Sequence, residues 1–231
     1  PLLFMDSFST RKDTLDYLEK YPELSTKDLP LDFLQNKFPR IKQDDLTPLQ
    51  LADDRSNWNP PGHGEIYMTM QLTGIIDKLR EKGIDYLFIS NSDNLGAVVD
   101  SDIFGYFAEQ DIPFMMEVCK RTEMDKKGGH LAETKKGQLI LREIAQCPED
   151  ELRHFQDINQ YKYFNTNNLW VNLNFLKEKL EENNGRLPLS LIINPKQVKG
   201  VKVYQLESAM GAAISVFEGS RAVQVAKDRL V

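Results

Sequence analysis

Gly83-Ile84-Asp85-Tyr86-Leu87-Phe88-Ile89-Ser90-Asn91-Ser92-Asp93-Asn94 is the stretch on which the reading of the fold turns. A glycine stop is followed by a short run of aromatic and branched residues, then by a polar cluster. That order describes a buried strand running into a loop. Upstream, residues 66–82 place Met68, Leu72, Ile75 and Leu79 at helical spacing, with Gly83 at the stop. Downstream, residues 98–110 return to a helical pattern. The alternation continues in both directions. Strands are expected at residues 2–5, 113–118, 138–144, 161–165, 191–193 and 201–206. Helices are expected at residues 10–20, 149–157, 169–183 and 208–218. Strand alternating with helix predicts an α/β fold, with a mixed, mostly parallel sheet flanked by helices in a Rossmann-like arrangement. With no internal repeat and no low-complexity linker, residues 1–231 are expected to form one domain.

Composition narrows the function. The chain has 231 residues, 29 Lys+Arg against 35 Asp+Glu, and a formal net charge of −6. A pI near 5.2 argues against non-specific nucleic-acid binding, which needs a basic surface. No apolar run is long enough for a membrane span. Two cysteines, Cys119 and Cys147, cannot build a disulfide framework, so a reducing compartment, the cytoplasm, is expected. The chain starts on Pro1 in an apolar run and closes on Leu230-Val231 without a stop signal, so both ends are expected to be cuts through a longer protein.

In open parallel sheets, ligands bind at the carboxyl ends of the strands. Read there, the chain offers Asn91-Ser92-Asp93-Asn94, Glu117, Asn165-Thr166-Asn167-Asn168 and Asn194-Pro195-Lys196. Amides and carboxylates suit hydroxyl recognition, a carboxylate can hold a divalent metal on phosphates, and a lysine neutralises phosphate charge. The chemistry is that of a nucleotide or sugar-phosphate site. Each residue also has a plainer reading. Asp93 could cap a turn, Lys196 could be a solvated lysine, and the asparagines could satisfy turn backbone, the reading favoured for Asn168. Asp100-Ser101-Asp102 has the D-x-D spacing of metal-dependent glycosyltransferases, but a helical pattern follows it. It reads better as acids at a helix start. Cys119, His130 and Cys147 fit no zinc-ligand spacing, and Lys126-Lys127 is too short for a nucleic-acid patch.

The polar segments and their neighbours carry a resemblance. Pro60-Pro61-Gly62-His63-Gly64-Glu65-Ile66-Tyr67, Ser90-Asn91-Ser92-Asp93-Asn94-Leu95-Gly96-Ala97, Lys127-Gly128-Gly129, Phe164-Asn165-Thr166-Asn167-Asn168-Leu169-Trp170, Asn194-Pro195-Lys196 and Gln205-Leu206-Glu207 resemble, in order, the eukaryotic-type UTP–glucose-1-phosphate uridylyltransferase family. Phe33-Leu34-Gln35-Asn36-Lys37-Phe38-Pro39-Arg40 is similar to its glutamine segment. The resemblance implies a nucleotide-diphospho-sugar transferase fold, lacking the family's upstream glycine-rich loop and downstream β-helix. It implies UTP, glucose-1-phosphate, UDP-glucose and pyrophosphate as reaction partners and Mg²⁺ as cofactor. Lys196 and His63 are implied in catalysis, and Gln35, Gly62, Asn91 and Asp93 in nucleotide binding. Asp93 is also the implied metal ligand, and Gly129, Glu143, Asn165 and Asn167 are implied in sugar binding. Two alternatives stand beside this: a non-catalytic nucleotide-sugar-binding module, and the UDP-N-acetylhexosamine pyrophosphorylases, which usually carry Asn where His63 stands.

Overall fold

The computed structural model describes residues 1–230. Its strands are β1 (Phe4–Asp6), β2 (Asp32–Leu34), β3 (Phe38–Pro39), β4 (Ile41–Lys42), β5 (Trp58–Asn59), β6 (Tyr86–Ile89) and β7 (Phe114–Lys120). They continue with β8 (His130–Glu133), β9 (Leu139–Arg142), β10 (Tyr163–Asn172), β11 (Ile192–Val198), β12 (Val201–Glu207) and β13 (Arg221–Gln224). The helices are α1 (Arg11–Leu18), α2 (Ile66–Leu72), α3 (Ile75–Glu81), α4 (Ser101–Glu109), α5 (Leu152–Phe155) and α6 (Leu173–Glu182). Two compact units result: Pro1–Gly83 with Asn184–Met210, and Ile84–Asn183 with Gly211–Val231. No helix among the described residues is long and apolar enough to cross a membrane.

In the first unit, β1 and β2 pair in parallel, and β11, β12 and β4 form an antiparallel sheet. The long helix expected at residues 66–82 is two helices. Gly74 takes φ +70, a left-handed conformation that ends α2 and restarts the chain as α3. The break rotates the apolar stripe, so Ile75, Ile76 and Leu79 are buried while Leu72 is 68% exposed.

In the second unit, β10 is the spine. It pairs antiparallel with β7 along one side, and with β6 and β8 on the other. β13 adds in parallel to the far side of β7, and β9 extends β8. Phe107, Ile112, Met115 and Trp170 form a buried cluster beside this sheet, with Tyr86, Phe88, Ile103 and Val223 packed against it. The α/β class and the mixed sheet are as expected. The parallel majority is not: only β1–β2 and β7–β13 are parallel among the described pairings. Parallel neighbours need a crossover, whereas β8–β9 and β11–β12 are joined by turns that force antiparallel pairing.

Three further expectations are corrected. Residues 163–172 are one strand, and α6 starts only at Leu173, where Asn172 Oδ1 accepts from Asn174 N–H at 3.0 Å. The strand expected at residues 191–193 is β11, Ile192–Val198, which continues past Asn194-Pro195-Lys196. The segment expected as a last helix is a 3₁₀ turn at Met210–Ser215.

Candidate functional site

The four sugar-binding candidates lie in the second unit, and the structure brings them together. The step from Asn165 to Leu169 on β10 faces only Val118 to Met116 on β7. This bulge is taken up by Asn167 at φ +60, while the Thr166 hydroxyl donates to the Glu117 carbonyl at 2.8 Å. Asn165 and Asn167 therefore sit within a strand at a bulge, a common way to re-aim a side chain, rather than after a strand end as expected. Asn165 Nδ2 donates to Asn167 Oδ1 at 2.7 Å, and Asn167 N–H donates to Asn165 Oδ1 at 2.9 Å. These bonds fix both amides and leave Asn167 Nδ2 free to donate. The Asn165 backbone N–H donates to the Gly129 carbonyl at 3.1 Å. Glu143 follows β9, and its carboxylate lies against Gly129 so closely that a β-carbon there would stand 2.6 Å from Oε1. Burial raises the Glu143 pKa, and among the described residues no donor is bonded to its carboxylate. An unengaged carboxylate acceptor beside an amide with a donor to spare is a pairing that suits hydroxyl groups. Sequence reasoning missed Gly211, where a β-carbon would stand 2.8 Å from Asn165 Nδ2. Its small size keeps room for that amide, and a lone glycine in an apolar run gives no signal of it.

Asn91 and Asp93 also belong to the second unit, in the exposed loop after β6. Asp93 has no hydrogen-bond partner among the described residues, so it does not serve as a cap. No group of three or more His, Cys, Asp or Glu side chains gathers among the described residues. The described residues therefore hold no all-protein metal cage. A single free carboxylate fits Mg²⁺, which keeps waters and takes phosphate oxygens for most of its shell. Glu117 and Asn168 are not part of a rim. Glu117 is fully buried and paired with Arg229 at 2.6 Å, and its carboxylate also accepts from Asn168 Nδ2 at 3.1 Å and Trp170 Nε1 at 3.0 Å.

The first unit holds Gln35, Gly62, His63 and Lys196. Gln35 follows β2 at the carboxyl end of the parallel β1–β2 pair. Its backbone N–H donates to the Asp6 carbonyl at 2.9 Å, and its side-chain Oε1 is buried without a partner. Gly62 takes φ +86 and ψ 167, a region open essentially to glycine alone. Gly64 N–H donates to the Ser208 carbonyl and Ser208 N–H to the Pro61 carbonyl, both at 2.9 Å. The loop is thus pinned to the chain leaving β12. His63 Nδ1 accepts from Met210 N–H at 3.1 Å. That bond places the neutral ring's proton on Nε2, and burial lowers the ring's pKa. Lys196 lies inside β11, opposite Val203, exposed and on the same hairpin as Lys199 and Lys202. Ile192 opposite Glu207 marks the end of that ladder nearest Gly62, and four strand residues, roughly 13 Å, separate it from Lys196.

The sequence profile of the family described as UTP--glucose-1-phosphate uridylyltransferase matches residues 1–231. The chain is 42% identical over 233 residues to a Solanum tuberosum protein of that name, covering 100% of this chain and 48% of the relative. A second relative of that name, from Hordeum vulgare, is 41% identical over 234 residues, with the same coverages. The fold is similar to a Trypanosoma brucei UDP-glucose phosphorylase structure (TM-score 0.93, 45% identity, 100% of this chain and 52% of that one). It is also similar to a Leishmania major UDP-glucose pyrophosphorylase mutant solved in complex with UDP-glucose (TM-score 0.91, 45% identity, 99% and 52%). The chain spans about half the length of the curated relatives it matches.

Proposed function

Because the chain belongs to the UTP--glucose-1-phosphate uridylyltransferase family, we propose that its protein forms UDP-glucose and pyrophosphate from UTP and glucose-1-phosphate, with Mg²⁺ as cofactor. The observation that carries this reading is the convergence of Gly129, Glu143, Asn165 and Asn167 on one spot, from separate segments of the second unit.

In the reaction a glucose-1-phosphate oxygen attacks the α-phosphorus of UTP, and the bond to pyrophosphate breaks. Such a transfer depends on alignment and charge stabilisation more than on proton transfer. Gln35 offers its unpartnered amide oxygen to a uracil N–H. Gly62 lets the backbone approach the ligand closely. His63 stays neutral and donates from Nε2 to a phosphate oxygen. Asn91 borders the nucleotide, and Glu143 and the two asparagines orient the glucose hydroxyls. Asp93 would hold Mg²⁺, which, when bound, supplies charge neutralisation on the phosphates. Lys196, exposed on the β11–β12 hairpin, would bind the phosphates and stabilise charge in the transition state, so Lys196→Ala is expected to lower the rate of the full-length enzyme far more than its affinity for glucose-1-phosphate, and an unchanged rate would remove Lys196 from the mechanism. The free thiols Cys119 and Cys147 support a reducing compartment, the cytoplasm.

The test is calorimetric titration of the 231-residue chain with UDP-glucose and with UDP-N-acetylglucosamine, Mg²⁺ present. Selective binding of UDP-glucose is expected. Preference for the N-acetylated sugar would move the assignment to the sister pyrophosphorylases.

A further inference from the structure

Glu65 is 5% exposed, and no cation pairs with it among the described residues. Its carboxylate is held by one residue. Oε2 accepts from the Asn36 backbone N–H at 2.9 Å, and Oε1 accepts from Asn36 Nδ2 at 2.6 Å. Asn36 is the neighbour of Gln35. Glu65 itself ends the 3₁₀ turn His63–Glu65 that starts just after Gly62. One buried side chain thus ties the segment carrying Gln35 to the loop carrying Gly62 and His63, across 29 residues of sequence.

This arrangement is costly for what it gives the fold. A buried carboxylate without a counter-ion carries a desolvation penalty that two hydrogen bonds only partly offset. The direction of its pKa agrees: burial raises it, and the Asn36 bonds pull it back only in part. Asn36 is itself exposed, so the bonds do not exist to satisfy a buried amide. What they do fix is the backbone at residue 36, and with it the direction of the preceding side chain. That side chain carries the buried Oε1, which has no partner among the described residues.

We propose that Glu65 is a positioning residue for nucleobase recognition, gripping Asn36 so that the Gln35 amide is preorganised against the base beside the Gly62–His63 loop. The inference rests on the nucleotide reading above and adds to it a residue that need not touch the ligand. A group held in place before binding costs less to order on binding, so the effect belongs in affinity and in base selectivity.

The experiment titrates UDP-glucose and ADP-glucose into wild type, Glu65→Gln, Asn36→Ala and Gln35→Ala. Glu65→Gln keeps the shape but turns an NH₂ toward one Asn36 donor, breaking one of the two bonds. The expected result is a UDP-glucose Kd raised about tenfold, the worth of one oriented hydrogen bond. ADP-glucose affinity is expected to hold, so that selectivity falls, while the thermal midpoint stays level or rises. Asn36→Ala should reproduce the loss, and the double variant should lose no more than either single one. Asn36→Ala is also the working variant if Glu65→Gln folds poorly. A merely structural role would weaken both nucleotides alike and lower the midpoint; that pattern overturns the proposal, as does unchanged UDP-glucose affinity in both variants. If Gln35→Ala weakens binding and the Glu65 and Asn36 variants do not, the positioning role alone fails. If Gln35→Ala has no effect, or wild type binds neither nucleotide, the nucleotide reading fails and takes the proposal with it.

Discussion

A β-carbon on Gly129 would stand 2.6 Å and 2.7 Å from the two Glu143 carboxylate oxygens. Those atoms end a flexible side chain, so Gly129→Ala should displace Glu143 rather than disturb the backbone. The expected outcome is a thermal midpoint close to wild type with UDP-glucose binding lost; calorimetry and a melting curve check both. Retained binding would mean that Glu143 does not face the sugar. The same carboxylate gives a pH signature. Its ionised form accepts from hydroxyls, and protonation as pH falls removes that acceptor. Because burial raises its pKa, affinity should fade at a pH above the usual carboxylate range. Glu143→Gln should bind more weakly and show a flatter profile between pH 7 and pH 4. Parallel profiles for the two proteins would rule out Glu143 as the titrating group. At Gly62 the backbone decides. A β-carbon there would stand 2.5 Å from the Ser208 carbonyl oxygen, at φ +86. Neither the backbone contact nor the torsion can relax locally, so Gly62→Ala should cost about 2 kcal/mol or more of stability in denaturant unfolding.

Among the elements, α4 answers the question raised by Asp100-Ser101-Asp102. Asp100 Oδ1 accepts from Asp102 N–H at 2.9 Å and from Ile103 N–H at 3.0 Å, so Asp100 is the N-cap of α4 and not half of a metal motif. Asp100→Ala should lose about 1 kcal/mol of stability and keep UDP-glucose binding and its Mg²⁺ dependence. A loss of Mg²⁺ dependence with stability intact would revive the glycosyltransferase reading. How far the sequence could be read differs from element to element for physical reasons. The runs at β1, β6 and β7 were legible because short buried strands leave apolar clusters between breakers. The Gly74 break was not, because Met68, Leu72, Ile75 and Leu79 keep helical spacing across a left-handed residue, and only the backbone torsion reveals it. Leu169-Trp170-Val171 suits a helix or a strand equally as a short apolar run. Pairing with β6 and β7 decides for the strand, and that pairing is tertiary. The strand expected at residues 191–193 is shorter than β11 because its apolar run stops before Pro195. A hairpin tolerates it where no ladder hydrogen bond is required of its nitrogen.

For the molecule as a whole, the residues that resemble a known family pointed to Gly129, Glu143, Asn165 and Asn167, which the fold brings together, while other buried pairings did not announce themselves. Glu117 meets Arg229 across 112 residues of sequence, and Gly211 meets Asn165 only in the folded unit. Neither pairing has a local pattern from which it could be read. His130 is another such group, and it governs how the second unit should respond to acid. Its ring is fully buried, 4.3 Å from Phe155 and 4.2 Å from Tyr161 between ring centres. Nδ1 lies 3.3 Å from an Arg121 guanidinium nitrogen, and Nε2 is buried without a partner. Burial first, and the Arg121 charge second, lower its pKa to about 3. The unfolded chain takes up this proton as pH drops through 6.5, the folded chain only near 3. The stability is therefore fully present above pH 6.5 and drains away between there and about pH 3, with a slope of at most ~1.4 kcal/mol per pH unit. Urea unfolding of wild type and His130→Gln at pH 7, 6, 5 and 4 isolates the effect from that of the carboxylates. The variant should start less stable at pH 7, because it loses the aromatic stacking, and then decline more gently, so that the two curves converge as acid is added. Curves that stay parallel would mean that the ring takes up a proton inside the fold, and that the Arg121 side chain moves to let it.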